Sequence, residues 1–411
     1  MDTEGSVSRK PGVGADPTAA AGASPAPRAS GCPERSPAEQ VRVPVVIMRG
    51  GSSKALVLRD ADVPRDPEAR TRFLLALFGS PDRRQIDGLG GADLLTSKCA
   101  IMGAPTRSDA DIDYTFAQVS VEHPIVSYDI SCGNISSAAG LYAIEEGFVE
   151  AVEPATTVRV HNTNTGTILR VRVPVRDRAA RIEGDCHIDA VPGTGAAIGM
   201  DLALTAGAAT GRLLPTGSVR DRIEVDGLDK PIDVSIVDIA NVCVFIAAGD
   251  LGLAGTEGPA DVPAACYEVL ERIRLAAARL AGIESHLLPF QVVVSPPAPS
   301  RDFATGRLVD AGAMDLTARL VVERGMHKAY PGTGAACLGA AARIPGTVAH
   351  AACRPAGDER ILRIGHPSGT MEVAARVTRS AEGGWAVLEA SFARTARRLL
   401  EGTALVRRAR L

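Results

Sequence analysis

From Val41 to the C-terminus, most of the chain consists of short runs in which apolar and polar residues alternate, separated by glycines and prolines. Alternation with a period of two is typical of strands that bury one face. The predicted strands are 41–48, 114–121, 156–160 and 167–173. The last two flank the polar, glycine-bearing segment 162–166, so they are expected to form a hairpin.

Three other segments carry apolar residues at helical spacing. The predicted helices are 70–78, 134–146 and 262–281. Glycine follows each of them, at Gly79, Gly147 and Gly282, and glycine most readily adopts the left-handed conformation that ends a helix. Short strands therefore dominate, with few helices between them.

The first 40 residues differ in composition from the rest. They are rich in Ala, Gly, Pro and Ser and show no apolar period. Such a segment cannot bury enough surface to offset the entropy of ordering, so 1–40 is predicted to be a disordered tail. The acidic start at Asp2 and Glu4 is unlike a secretory signal, and no later apolar run is long enough to cross a bilayer, so a soluble protein is expected.

A chain of 411 residues exceeds the length at which a single core usually stops growing. Two domains are expected, at 41–188 and 189–411, and the final segment is a candidate to return to the first domain.

Composition and charge narrow the choice of partner. The chain is 45% hydrophobic and 23% charged, with a formal net charge of −3 and no basic stripe that could neutralise phosphates. A nucleic-acid partner is therefore not expected, and a small molecule is. The eight cysteines form no C-x-x-C pair and no zinc-ligand spacing, which favours a reduced, cytoplasmic location and no metal.

The most distinctive segment is 129–140, DISCGNISSAAG, in which a strand-like run places Cys132 before a Gly-Asn turn that opens an apolar helix. Unpaired backbone N–H groups and the helix dipole favour a thiolate and an anionic ligand at such a position. A thiol there is a candidate for proton transfer. The alternative is a buried structural cysteine, because free cysteines are often buried.

A weak internal repeat links this segment to 331–337, PGTGAAC, where a glycine turn again opens a helix of small residues. The repeat predicts two similar domains that each direct a helix N-terminus toward a shared cleft. Chance similarity between two Ala/Gly-rich helix starts is the alternative.

Three further segments have the composition of binding or catalytic turns. Segment 48–54, MRGGSSK, could form a nest of N–H donors for a carboxylate, and segment 365–369, GHPSG, offers hydroxyl and N–H donors. Segment 87–101 leads through Ser97 and Lys98 into an apolar strand, where desolvation would favour a neutral amine that can act as a base. Ordinary turns and a solvated lysine are the alternatives. Aspartates at 109, 111 and 113 alternate like calcium ligands but lack the glycine and distal glutamate of such a loop.

These segments, with 161–166, 213–217 and 255–257, occur in the order found in the PrpF-like methylaconitate isomerase family. The chain resembles that family from about Val43 to its C-terminus. The resemblance implies an α+β, diaminopimelate epimerase-like fold of two similar domains, each a mixed β-sheet rolled around a central helix, with the active site between them. It also implies isomerisation of small unsaturated di- or tricarboxylates, among them methylaconitate, aconitate, methylitaconate and oxalomesaconate, without a cofactor.

By the same resemblance, Lys98 and Cys132 match the pair that moves the proton. Which of the two is the base is left open. The matching candidates for substrate binding are Ser52, Ser53, Lys54, Ser97, Gly133, Asn134, Asn162, Asn164, Thr333, Gly334 and Ser368. A small unsaturated polycarboxylate is the expected partner, and a homodimer is one expected assembly.

The chain departs from the two-thiol epimerases of the wider fold at two places. Pro331 stands where those enzymes have a second catalytic cysteine, and Ala240-Asn241-Val242 replaces the usual Gly-Asn-Pro. Racemisation by opposed thiols is therefore disfavoured, and an allylic proton shift between Lys98 and Cys132 is expected. The alternatives are an oxalomesaconate keto–enol tautomerase, an amino-acid epimerase and a non-catalytic protein that binds tricarboxylates.

Overall fold

The computed structural model describes residues 39–322, 325–354, 360–380 and 383–411, so nearly all of the predicted tail lies outside the described residues. The first strands are β1 (Gln40–Gly50), β2 (Ser53–Arg59), β3 (Lys98–Gly103), β4 (Ile112–Val119), β5 (Val126–Ser127), β6 (Ala155–Asn162), β7 (Thr167–Arg176), β8 (Ala179–Ala180), β9 (Cys186–His187), β10 (Thr194–Gly195) and β11 (Ile198–Asp201). They are followed by β12 (Asp221–Ile223), β13 (Ile232–Ile239), β14 (Asn241–Ala247), β15 (Phe290–Ser295), β16 (Ser300–Arg301), β17 (Leu308–Val309), β18 (Leu316–Val322), β19 (Gly325–Met326), β20 (Ile361–His366), β21 (Gly369–Arg379), β22 (Trp385–Arg394) and β23 (Ala396–Arg407). The α-helices are α1 (Pro67–Phe78), α2 (Gly133–Glu145), α3 (Ala264–Ala281), α4 (Gly332–Arg343) and α5 (Val348–Ala352).

The elements predicted from the sequence are present. The predicted strands correspond to β1, β4, β6 and β7, and the predicted helices correspond to α1, α2 and α3. Gly79 and Gly282 end α1 and α3 in the left-handed conformation, as their positions indicated. Helix α3 begins one residue after Pro263, because proline lacks the N–H that a helix interior needs.

The order of strand pairings occurs twice along the chain. From β1 to β7 the neighbours β1–β2, β2–β3, β3–β4, β4–β6 and β6–β7 alternate between antiparallel and parallel. From β13 to β21 the neighbours β13–β14, β14–β15, β15–β18, β18–β20 and β20–β21 repeat the same alternation. Helices α1 and α2 occupy the two parallel crossovers of the first half, and α3 and α4 those of the second. The weak sequence repeat is therefore a repeat of topology.

Helices α2 and α4 are the central helices of the two halves. Nearly every residue of each is buried. Each helix contacts its sheet through a glycine: a Cβ at Gly140 would lie 2.4 Å from Val171, and one at Gly339 would lie 3.0 Å from Ala375. A larger residue could not pack so close to the strands, so small residues in these helices keep each sheet wrapped around its helix.

Helices α1 and α3 cover the outside of the sheets. Phe73, Leu74 and Leu77 of α1 pack into one secondary core, and Leu270 and Ile273 of α3 pack into another. Each half thus has a sheet with a helix on both faces, which is the α+β arrangement expected.

Two connections join the halves. Strand β11 pairs with both β7 and β22, and β23 pairs antiparallel with β1 along the full length of β1. The last strand thus lies beside the first. The domain boundary near residue 188 stays a prediction. In the part of the chain that the structure describes, no helix is long and apolar enough to span a membrane.

Candidate active site

The N-termini of the two central helices meet. Cys132 precedes α2 and Pro331 precedes α4, and neither residue caps its helix with a side-chain hydrogen bond. The approach is close, because a Cβ at Gly133 would lie 3.0 Å from the backbone nitrogen of Thr333. Two uncapped helix N-termini side by side concentrate N–H donors and positive dipole ends at one point, which favours an anion there.

Asn241 links the two helix starts. Its side-chain amide donates to the backbone oxygen of Ser131 (2.7 Å) and to Oγ1 of Thr333 (3.0 Å), and its Oδ1 accepts from the backbone nitrogen of Ser131 (2.8 Å). The preceding Ala240 has φ of 59°, the left-handed conformation that favours glycine. The turn is therefore kept in this chain although its usual glycine and proline are absent.

Cys132 is almost fully enclosed, with 8% of its surface exposed. Its backbone oxygen accepts from the nitrogen and the hydroxyl of Ser136, which starts the helix. The guanidinium of Arg394 donates to Asn134, two residues further along the chain, at 2.7 Å. Cys132 thus stands at the helix start, as the sequence predicted, near a cation.

Lys98 is the first residue of β3 and is 6% exposed. Its Nζ donates to Oε1 of Gln118 (2.6 Å) and lies 5.3 Å from the centroid of the Phe116 ring. Gln118 is itself held by the backbone oxygen of Ser97 at 2.9 Å. A neutral amide and an aromatic face therefore position the amine in a desolvated place, as expected for a group that exchanges protons.

Arg394, the last residue of β22, connects these elements. Its Nε donates to Oδ1 of Asn134 at 2.7 Å, and Asn134 in turn donates to the hydroxyls of Ser52 (3.1 Å) and Ser53 (3.4 Å). Burial lowers the pKa of Arg394 to about 10, and electrostatic attraction to Cys186 and Cys132 opposes that shift. The side chain remains a cation at neutral pH.

The Gly-Gly turn at 50–51 is held tightly against α2. A Cβ at Gly50 would lie 2.3 Å from the backbone oxygen of Asn134, and Gly51 has φ of 49°. Only glycine fits both positions, so the turn presents Ser52 and Ser53 to the start of α2.

The remaining predicted substrate-binding residues have defined positions. Asn162 donates to Oγ of Ser131, Thr333 accepts from Asn241, and Ser97 accepts from Gln85. Ser368 lines the large cavity described below, Lys54 is half-buried in β2, and Gly334 faces Leu320. Their contacts to substrate stay predictions.

The side-chain amide of Asn164 is bonded to backbone groups of the protein. Its Oδ1 accepts from the backbone nitrogen of Phe116, and its Nδ2 donates to the backbone oxygens of Phe116 and Tyr128 at 2.8 Å. The side-chain amide is thus committed to holding β4 against the segment before Cys132.

Two buried histidines, His327 and His366, lie near the site. Each accepts a backbone N–H at Nδ1, from Ala329 and Ser368 respectively. Burial is the main cause that lowers the pKa of His327 to about 4 and that of His366 to about 3. Both rings are therefore neutral at physiological pH.

This arrangement makes stability depend on pH. Between about pH 4 and 6.5 the unfolded chain binds protons that the folded chain excludes from His327, so acidification favours unfolding. Between neutral pH and pH 5, each histidine is expected to lower the free energy of unfolding by about 2 kcal/mol. Thermal melting between pH 7 and 5 should show a falling Tm, with a shallower slope for His327→Gln and an unchanged slope for His123→Gln, which alters an exposed histidine. A slope unaffected by His327→Gln would contradict this assignment.

A large cavity of about 1550 Å³ is lined by both halves of the chain. Ser52, Leu95, Lys328 and Arg394 are among its lining residues. Neither Lys98 nor Cys132 lines it. Lys328, a lining residue, forms an ion pair with Asp93 across the halves.

The aspartates with calcium-like spacing have other partners. Asp109 pairs with Arg107, Asp111 with Arg159 and Asp113 with His161. Within the described ranges, no group of three or more His, Cys, Asp or Glu side chains is placed to hold a metal ion.

Comparison with known proteins identifies the family. The profile of the PrpF protein family matches residues 40–407. The chain belongs to the PrpF family. The 3-methylitaconate isomerase of Eubacterium barkeri is 47% identical over 384 residues, covering 91% of this chain and 99% of that protein. The 4-oxalomesaconate tautomerase of Pseudomonas putida is 37% identical (90% and 97% covered), and the 2-methyl-aconitate isomerase of Shewanella oneidensis is 34% identical (88% and 96% covered).

Solved structures confirm the fold of this PrpF family member. A crystal structure of methylitaconate-delta-isomerase aligns with a TM-score of 0.74 at 47% identity, covering 90% of this chain and 97% of that one. A hydroxyproline epimerase from Agrobacterium vitis aligns with a TM-score of 0.55 at 13% identity, covering 89% and 93%, which shows the shared fold alone. The resemblance and the epimerase-like fold predicted from the sequence are both confirmed.

Sequence reasoning missed Arg394, Gln118 and His327. No local motif marks them, because each gains its place through strand pairing with distant parts of the chain. The direct contact between Arg394 and Asn134, for example, joins residues 260 positions apart. An arginine at the end of an apolar strand was the one available signal.

Proposed function

We propose that the protein is a cofactor-independent isomerase that shifts a carbon–carbon double bond, by allylic proton transfer, in a small unsaturated di- or tricarboxylate such as methylitaconate, methylaconitate or aconitate. The observation that carries the proposal is the meeting of two uncapped helix N-termini beside Cys132 and the Arg394 cation. Its relatives are named as isomerases of such acids and as a tautomerase, which confirms the predicted enzyme class for the family.

The chemistry needs a base, an acid and a site for negative charge. One of Lys98 and Cys132 removes a proton from the carbon next to the double bond, and the electron pair moves into the allylic system. The other group delivers a proton two carbons away, so the double bond moves and no atom is gained or lost. Backbone N–H groups at the two helix starts stabilise the enolate-like charge that develops on the adjacent carboxylate.

In one direction Lys98 acts as the base and Cys132 acts as the acid. The roles exchange in the reverse direction. Because neither group lines the cavity, we also propose that the halves separate at the Lys328–Asp93 pair to admit substrate.

The test is proton NMR in deuterated water with methylitaconate, methylaconitate, aconitate and oxalomesaconate as separate substrates. An isomerase incorporates deuterium at the carbon that receives the proton and converts at least one acid to its double-bond isomer. Binding without exchange of any of the four acids would contradict the proposal and favour a non-catalytic binding protein.

A second candidate function is keto–enol tautomerisation of oxalomesaconate. It is supported by the Pseudomonas putida tautomerase, a relative at 37% identity. The (4E)-oxalomesaconate Delta-isomerase of Novosphingobium, also at 37% identity, is named for the same acid but for a double-bond shift. The same NMR panel separates the two candidate functions, because a tautomerase turns over oxalomesaconate and leaves methylitaconate unchanged. Cytoplasmic location and a homodimer remain predictions.

A further inference from the structure

Arg394 is a buried cation that no carboxylate neutralises. Only 3% of its surface is exposed, and it forms no ion pair with any aspartate or glutamate of the described ranges. Its partners are the amide oxygen of Asn134, the backbone oxygens of Ala393 and Tyr330, and the sulfur of Met371. Buried charges are normally paired, because an isolated ion loses its hydration without compensation.

Arg274 and Arg319 are the other buried arginines of the described ranges. Arg274 is paired with Glu271 at 2.6 Å, whereas Arg319 has no ion pair within those ranges and donates to the backbone oxygens of Glu257, Ala318 and Gly365. Arg394 differs from both by its place, because it lines the large cavity.

Most donors of the Arg394 guanidinium are engaged, but two of its contacts are weak. A guanidinium has five N–H donors in a planar fork that matches a carboxylate. In Arg394 one donor is used well, at 2.7 Å to Asn134, and another at 2.9 Å to the oxygen of Ala393. The contact to Tyr330 is long at 3.5 Å, and a thioether sulfur is a weak acceptor.

We propose that Arg394 binds one carboxylate of the substrate while the paired helix N-termini bind a second. The inference rests on the proposed function and deepens it by assigning a further substrate-binding residue to the site. On this proposal, a substrate carboxylate supplies the counter-ion that Arg394 lacks within the protein, which explains why an unpaired cation lines the cavity. Asn134, which is itself bonded to Ser52 and Ser53, holds the guanidinium in place.

The test measures binding of tricarballylate, a saturated tricarboxylate that cannot undergo the allylic shift, by titration calorimetry. Arg394→Met is expected to weaken binding roughly 100-fold, and Arg394→Lys to give an intermediate loss because the charge remains without the fork. Arg319→Met is the matched control, since Arg319 is 2% exposed, has a pKa also lowered to about 10 by burial, and does not line the cavity. It should bind within about threefold of the unmodified protein.

A second variant, Asn134→Asp, tests the same claim without removing the arginine. The new carboxylate would stand at the oxygen that Arg394 already contacts and would neutralise the cation internally. We expect a higher Tm together with weaker tricarballylate binding, a combination that a purely structural arginine would not produce. Near-normal binding by Arg394→Met, or by Asn134→Asp if the former does not fold, overturns the inference, as does an absence of tricarballylate binding by the unmodified protein.

The two proposals fail separately. If the unmodified protein incorporates deuterium but tricarballylate binding does not depend on Arg394, the proposed isomerase activity stands and the proposed role of Arg394 fails. If binding depends on Arg394 but no deuterium is incorporated, the role of Arg394 stands and the isomerase activity fails.

Discussion

Replacing Cys132 with alanine is expected to lower turnover by roughly three orders of magnitude while leaving the fold intact. Cys132 is the one thiol of the described chain that stands at the meeting point of the two helix starts, beside the Arg394 cation. Removing it deletes one partner of the proton shift but no large part of the core. Cys132→Ser should show a loss of similar order, because a hydroxyl is a far weaker acid than a thiol.

Cys337 provides the control for this variant. It lies inside α4, is fully buried, and its sulfur contacts the backbone oxygen of Val237 at 3.3 Å. Cys337→Ala should lower the free energy of unfolding by about 1–2 kcal/mol and keep turnover within a fewfold. Initial rates and thermal melting of both variants test the pair. Comparable turnover in Cys132→Ala and the unmodified protein would rule out the thiol as a proton carrier.

Replacing Lys98 with methionine is the second substitution with a large expected effect, a loss in turnover of roughly 10²- to 10⁴-fold. Methionine keeps most of the side-chain volume over the Phe116 ring, so packing around β3 is retained. The amine that donates to Gln118 is lost, and with it the group that takes or gives the proton.

Lys98→Arg separates proton transfer from charge. A guanidinium keeps the positive charge but is not deprotonated in proteins, so this variant should be nearly as inactive as Lys98→Met. If Lys98→Arg retained most of the activity, Lys98 would serve as an electrostatic contact and the base would have to be another group. Single-turnover measurements at saturating substrate distinguish a loss in chemistry from a loss in binding.

The elements built from local patterns could be predicted from the sequence. Alternation identified β1 and β4, and helical spacing with a following glycine identified α1 and α3. The start of α2 after Cys132 was also foreseen, because a Gly-Asn turn before an apolar run determines local backbone geometry. These features depend on neighbours in the chain.

Features that depend on pairing between distant strands could not be predicted from the sequence. Arg394 reaches Asn134 only because β22 pairs with β11 and the last strand returns to β1. Asn164 is a second example: the family resemblance makes it a candidate for substrate binding, and only the structure shows that its amide is bonded to the backbone of β4. A sequence motif shows which residue types are present at a site. It does not show which of their hydrogen-bond donors are already engaged by other groups of the protein.

The repeated strand order gives the chain a nearly two-fold symmetric scaffold, yet the two helix starts are chemically unlike. One carries a thiol at Cys132, and the other carries Pro331, which has neither an acidic side chain nor a backbone N–H. The repeated fold is thus nearly symmetric, whereas the site at its centre is asymmetric. A planar acid bound there presents a single face to the sulfur, so the handedness of any newly formed centre is determined by the unequal ends of two matching helices.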